Sequence, residues 1–255
     1  MHAVARHPRS PVAEPRGEPA YTYALYLESN PRRQKTMVHV LDLLGCVAKG
    51  PTTEVALGAT PDAIRAYLRF LARHGAPVDP FARFETRVEE HITDGQWLGN
   101  GDPALIFGLD RTPLTAEEAE IFIQRLAWSR TEMLAFIAGL STEQLAAQPP
   151  RLRSIRAMLE HVLESEHFYL SALGRIPDLP AAGSVLQKRQ GSLIEWMAHV
   201  RAAEVAYLHA LTPAERERPI VRWQQIWTAR KAMRRMLEHE WEHLVELAER
   251  VGQPL

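Results

Sequence analysis

The chain has 255 residues, 46% of them hydrophobic and 24% charged, with a net charge of −1. This is the composition of a globular protein long enough for two domains. It argues against a protein built mainly to grip nucleic acid, which would be more basic, and no apolar run is long enough to cross a bilayer.

Residues 1–19 are rich in Pro, Arg and Glu and contain no apolar stretch. They read as a disordered leader, not a secretory signal. Cys46 is the single cysteine, so no intrachain disulfide can form. With no export signal either, the expected compartment is the cytoplasm.

From Tyr21 the pattern has a period of two. Tyr21, Tyr23, Leu25 and Leu27 alternate with Thr22, Ala24, Tyr26 and Glu28, as in a strand. Asn30-Pro31 marks a turn, and Thr36 to Leu41 reads as a second strand. Thr53 to Ala59 and Pro61 to His74 read as a helix broken or kinked at Pro61 and ended by Gly75. Arg87 to Ile92 reads as a returning strand. Asp94 to Pro113, rich in Gly, Asp and Pro, reads as a linker.

Beyond Thr115 the period becomes helical. Thr115 with Glu118, Ser192 with Glu195, and Thr212 with Glu215 have the spacing of capping boxes, in which hydroxyl and carboxylate satisfy each other's opening amides. Phe122, Leu126, Met133, Ile137 and Leu140 form one apolar stripe. A second helix spans Ser154 to Leu173, closed by Gly174 and Pro177. A third runs from about Ser192 to Ala210, and Thr212-Pro213 opens a short turn. The last spans about Gln224 to Val251 and stops at Gly252. Four amphipathic helices bury their stripes most simply as an antiparallel bundle. The expected architecture is α+β: leader 1–19, a sheet-plus-helix domain over 20–93, a linker over 94–113, and an all-α four-helix bundle over 114–255.

His239 and His243 are four residues apart, about 40° beyond one helical turn, so both imidazoles leave one face and can share a metal ion. Taken alone, such a pair is more often two salt-bridged histidines. The flanking Met236, Leu244 and Leu247 point this pair inward, where imidazoles without partners would be costly. His161 is the best third ligand, with small Ser165 one turn on and Glu164 placed to orient an imidazole. Three neutral imidazoles suit Zn²⁺, Ni²⁺, Co²⁺ or Fe²⁺, and histidine alone does not choose among them; Zn²⁺ or Ni²⁺ is the first expectation, and three protein ligands leave a position open for water or substrate. The string His239-Glu240-Trp241-Glu242-His243 also fits a metalloprotease motif with Glu240 as base. Against that reading, little chain follows for a third ligand, and Glu240 lies about 100° around the helix from His239. His167, His199 and His209 read as surface or packing residues, and Trp223, Trp227 and Trp241 as core or interface.

The segments Ser154 to His161, Glu166 to Leu170 and Leu237 to His243 resemble the second and fourth helices of DinB-like proteins. The resemblance, from about Pro113 onward, implies a four-helix bundle holding a divalent metal through His161, His239 and His243. It also implies thiol-dependent S-transfer with a low-molecular-weight thiol as one activity of such a site, a small-molecule substrate, and a homodimer. The segments Tyr23 to Leu27, Leu41 to Val47 and Gly50 to Leu57, with Ala63-Ile64 and Gly75 to Val78, resemble a HicB-like domain, although Leu41 and Leu44 stand where that family has prolines. This second resemblance implies a protein partner for the N-terminal domain and, as the rival to an enzyme, a regulatory module with a structural or vestigial metal site. Cys46 reads as a buried sheet residue.

Overall fold

A computed structural model describes residues 21–174, 192–253 and 255. The leader expected over 1–19 and the stop at Pro177 lie outside the described residues.

The N-terminal unit is a four-stranded sheet with one helix: β1 (Tyr21–Asn30), β2 (Lys35–Val40), β3 (Val47–Gly50), α1 (Thr53–Arg73) and β4 (Phe84–Ile92). The order across the sheet is β3-β2-β1-β4, with β1 antiparallel to β2 and parallel to β4. Parallel pairing of β1 with β4 needs a crossover, and α1 supplies it. The expected strands are present; β3 is an addition. It has only four residues, too few for a period of two to stand out.

Helix α1 is continuous through Pro61. The proline removes one backbone bond, a cost of about 3 kcal/mol in a helix interior. Ile64, Leu68, Phe70 and Leu71 are buried on the same helix, and each contributes roughly 1.5–3 kcal/mol. Packing onto β3 and β2 therefore outweighs the missing bond.

The C-terminal unit is a bundle of α2 (Ala116–Ile137), α4 (Ile155–Ser171), α5 (Leu193–His209) and α7 (Ala229–Val251), with short helices α3 (Thr142–Ala146) and α6 (Pro213–Glu217) in its connections. Both α5 and α7 pack on α2 and α4. All three expected capping boxes form, and Ser141 with Gln144 makes a fourth at α3. Gly252 ends α7 in the left-handed conformation, as expected of a glycine C-cap. The last helix begins later than its sequence suggests. Ile220–Arg222 and Gln225–Trp227 pair as a hairpin, β5 and β6, and Thr228 caps α7.

Helix α7 is not a surface helix with one apolar stripe. Every residue from Ala229 to Trp241 is buried, including Arg230, Lys231, Arg234, Arg235, Glu238, His239 and Glu240. The sheet unit surrounds it from one side and α2 and α4 from the other, and one continuous apolar core runs through both units. Trp241 meets Tyr67 of α1 edge-on at 4.7 Å and Phe70 at 5.0 Å.

The stretch 94–113 is irregular but not loose. Leu98, Leu105 and Phe107 are buried with Leu41 in a small second core. The amides of Gly101 and Asp102 donate to the Glu28 carboxylate, and Arg234 forks onto Asp110 at 2.7 and 2.8 Å. Gly101 sits at φ +76°, where a Cβ would collide with the Arg235 guanidinium. Only glycine allows both the backbone turn and that approach.

Candidate metal centre

Three directions out of α7 carry three different kinds of polar chemistry. Toward the sheet, Glu238 accepts from His39 Nδ1 at 2.8 Å, Arg234 at 2.7 Å and Arg235 at 2.8 Å. Glu28 and Asp110 complete this buried set. Burial works against the His39 imidazolium, yet Glu238 and Glu28 raise its pKa. The set thus joins His39, Arg234 and Arg235 to three carboxylates and clamps the sheet to the bundle.

Toward the bundle interior, Glu240 accepts from Arg130 at 2.8 Å and Arg201 at 2.6 Å, and both arginines also hold Glu166. Glu204 lies beside Arg201, with neither oxygen hydrogen-bonded. Burial, and then the neighbouring Glu166, raise its pKa well above the usual range. Glu240 is fully buried in this network. It is therefore not a free base at the histidines: one step along a helix turns the side chain about 100°, and the two arginines hold it there.

Toward the third side, His239 and His243 meet His161 of α4. One ring nitrogen from each lies within 4.8 Å of the others. The ring centroids are 4.9 Å apart for His161–His239, 5.4 Å for His161–His243 and 4.6 Å for His239–His243. His239 and His161 bring their Nε2 atoms to 3.2 Å, and His239 Nδ1 is buried with no hydrogen-bond partner. Burial, then Arg153 and His243, push His161 down to about 4, and burial with His243 holds His239 well below its usual value. Both rings are neutral near pH 7, with a lone pair available. Three neutral rings with one nitrogen each converging within 4.8 Å make an arrangement that a divalent cation would satisfy, so the triad could hold a metal ion.

The outer support differs from expectation. Glu164 is exposed and absent from the cavity wall. Glu246 takes the orienting place, accepting from His243 Nδ1 at 2.9 Å and leaving Nε2 with the lone pair. The i,i+3 spacing of His243 and Glu246 was available to find it. His167 is half-buried, while His199 and His209 are exposed, and His209 pairs with Glu120 at 3.0 Å. Cys46 is buried and its thiol pushed up by burial, which removes it as a nucleophile.

A cavity of about 420 Å³ opens beside the triad. Its bundle wall is Trp241, Glu242, Val245 and Glu246; its other wall is Val47 and Lys49 of β3 with Asn100. Lys49 pairs with Glu242 across the opening. Lys35 donates to the Asn100 side-chain oxygen at 2.8 Å, which leaves the amide nitrogen for the cavity. Trp227 and Trp241 are buried, while Trp223 is half exposed at a hairpin tip. The lining by β3 had no signal in the sequence.

Among the described residues no helix is long and apolar enough to cross a membrane. Residues 125–247 match the family model of the DinB superfamily. A search of curated proteins finds no match. Among solved structures the chain is similar to a protein described as "YfiT from Bacillus subtilis is a probable metal-dependent hydrolase with an unusual four-helix bundle topology". The two are 17% identical with a TM-score of 0.40, covering 55% of this chain and 90% of that one. A superposition that loose carries no argument about this chain.

Proposed function

We propose, from the match of residues 125–247 to the DinB superfamily model and from the site's geometry, that the protein is a divalent-metal enzyme acting on a small polar molecule, with His161, His239 and His243 as the metal ligands. The observation that carries this reading is the convergence of three ring nitrogens within 4.8 Å at the wall of a cavity. A purely structural ion would be sealed; His161 and His243 are only partly buried here. When bound, a divalent ion with an open position lowers the pKa of a coordinated water or thiol and so supplies a nucleophile.

The chain's own residues do the rest. His243, fixed by Glu246, keeps its ring in one tautomer. Lys49, Glu242 and Asn100 place a cation, an anion and an amide donor around the opening. Such a set suits a substrate or co-substrate bearing both charges, the character of a low-molecular-weight thiol built from amino acids, and favours S-transfer as the reaction. Of the metals, three imidazoles favour Zn²⁺ or Ni²⁺ over harder ions.

Metal analysis of purified protein tests the site. One divalent ion per chain is expected, lost in His161→Ala and in His243→Ala; unchanged stoichiometry in both ends the proposal. Turnover of electrophiles with a panel of thiols, abolished by chelation and restored by metal, tests the reaction.

A further inference from the structure

A second cavity, of about 460 Å³, lies between the 94–105 stretch and the tip of the β5–β6 hairpin, and it shares no lining residue with the metal centre. Leu98 and Leu105 of the small second core line its apolar part. Trp97 and Trp223 also line it, and they are 59% and 50% exposed. Two half-bare indoles at one cavity form a shared apolar surface, not scattered exposure. Trp223 is held there against the preference of its backbone. It and Gln224 form the two-residue turn of the hairpin, with left-handed φ of +52° and +62°. Such a turn favours Asn and Gly. A bulky residue in that region is strained, and strain of this kind gathers at ligand clamps. Phe168 backs the Trp223 ring face to face at 4.8 Å and fixes it.

The polar lining is one-sided. Asp94 is exposed and has no hydrogen bond or ion pair among the described residues. Asp102 is buried; its two oxygens accept the backbone N–H of Trp97 at 3.0 Å and of Ala104 at 2.8 Å, and each keeps a further lone pair. The side-chain oxygen of Gln225 is buried without a partner. No lysine or arginine lines the cavity. Two carboxylates and an orphan acceptor call for N–H donors and positive charge, and indole faces attract cations. Each of the two rings already draws a guanidinium of the chain itself, Arg33 at 5.2 Å from Trp97 and Arg222 at 5.9 Å from Trp223. Arg222 is committed elsewhere, donating to the Ser171 carbonyl at 2.7 Å. We propose that this cavity is a second binding site, for a flat organic cation of the amidinium or guanidinium class. Its N–H groups would meet Asp94, Asp102 and Gln225, and its flat body would lie against Trp97 and Trp223. The site uses none of the three histidines, so it stands or falls independently of the metal centre.

Titration of the full chain with benzamidinium, followed through its six tryptophan indole N–H signals by NMR, tests the site. Trp97→Phe and Trp223→Phe assign the two signals that matter. Both should shift, with a Kd of about 1 mM or below, while the signal of Trp241, which lines the metal cavity, stays in place. Benzamide has nearly the same shape and no charge, and should bind about tenfold more weakly or worse. Asp94→Asn should weaken benzamidinium about threefold, and Trp223→Ala about tenfold. Asp94 is exposed and unpartnered, so its variant keeps the fold even if loss of the Phe168 contact disturbs the other. No shift of the Trp97 and Trp223 signals at about 10 mM benzamidinium, a shift confined to Trp241, equal binding of benzamide, or an affinity indifferent to Asp94→Asn would each overturn the proposal.

Discussion

Residues 239 and 240 are neighbours on one helix and belong to opposite kinds of site. Glu240 is closed in with Arg130, Arg201 and Glu166, where carboxylates and guanidiniums satisfy one another and water is excluded. His239 faces two other imidazoles, has an orphan nitrogen, and borders a cavity. Both positions are buried. What separates them is complementarity. A buried set that contains both signs of charge is complete by itself and acts as structure. A buried set of neutral acceptors is incomplete, and it is poised for something positive from outside.

Arg130→Met should separate the two kinds of site most sharply. It leaves Glu166 and Glu240 with one arginine between them and should cost about 3–5 kcal/mol in a denaturant titration. Gly101→Ala probes the clamp between sheet and bundle. It forces a left-handed backbone on a residue with a Cβ and displaces Arg235, for a loss of about 1–3 kcal/mol.

Acid distinguishes the sites by sign. His161 and His239 have folded pKa values below their unfolded ones, so the unfolded chain binds more protons below about pH 6.5. The metal-free protein should therefore lose stability as pH falls from about 6.5 toward the His161 value of about 4. His39 has the opposite sign: its raised pKa keeps its contribution at low pH and loses it as pH rises through the folded value. His39→Gln should leave the acid loss in place, whereas His161→Ala should reduce it; thermal melts of metal-free protein across this range read both.

The smallest effect is expected from His161→Ala in the metal-free protein, about 1 kcal/mol, because this half-buried ring has only its 3.2 Å contact with His239 to lose. If that loss equalled the loss in Arg130→Met, the histidines would be part of the structural framework and the contrast would fail.

Local chemistry was legible. The paired period of β1 and β2, the capping boxes, the Gly252 stop and the i,i+4 histidines all lie within a few residues of one another, and each was readable because its interactions close over that span. His161 could be chosen as the third ligand from its setting and from the family resemblance. The helical angle already turned Glu240 away from the histidines, but neither its arginine partners nor the exposure of Glu164 could be read, because a string of residues gives the angle of a side chain about its helix and not which neighbour waits there. The burial of α7 was likewise invisible. Its arginines, glutamates and lysine look like a solvated face until Asp110, Glu28, His39, Arg130 and Glu166 arrive from five separate segments.

By itself the sequence determined that a sheet precedes a set of capped helices, where most of those helices stop, and which histidines share a face. The tertiary structure alone decided that β3 and the 94–113 stretch wall the cavity, and that Glu240 belongs to a charge network while Glu246 holds His243. Periodicity and capping are set by backbone geometry over one or two turns. Charge partners and cavity walls are set by packing between segments up to about 200 residues apart, as His39 and Glu238 are, and only the folded chain brings those together.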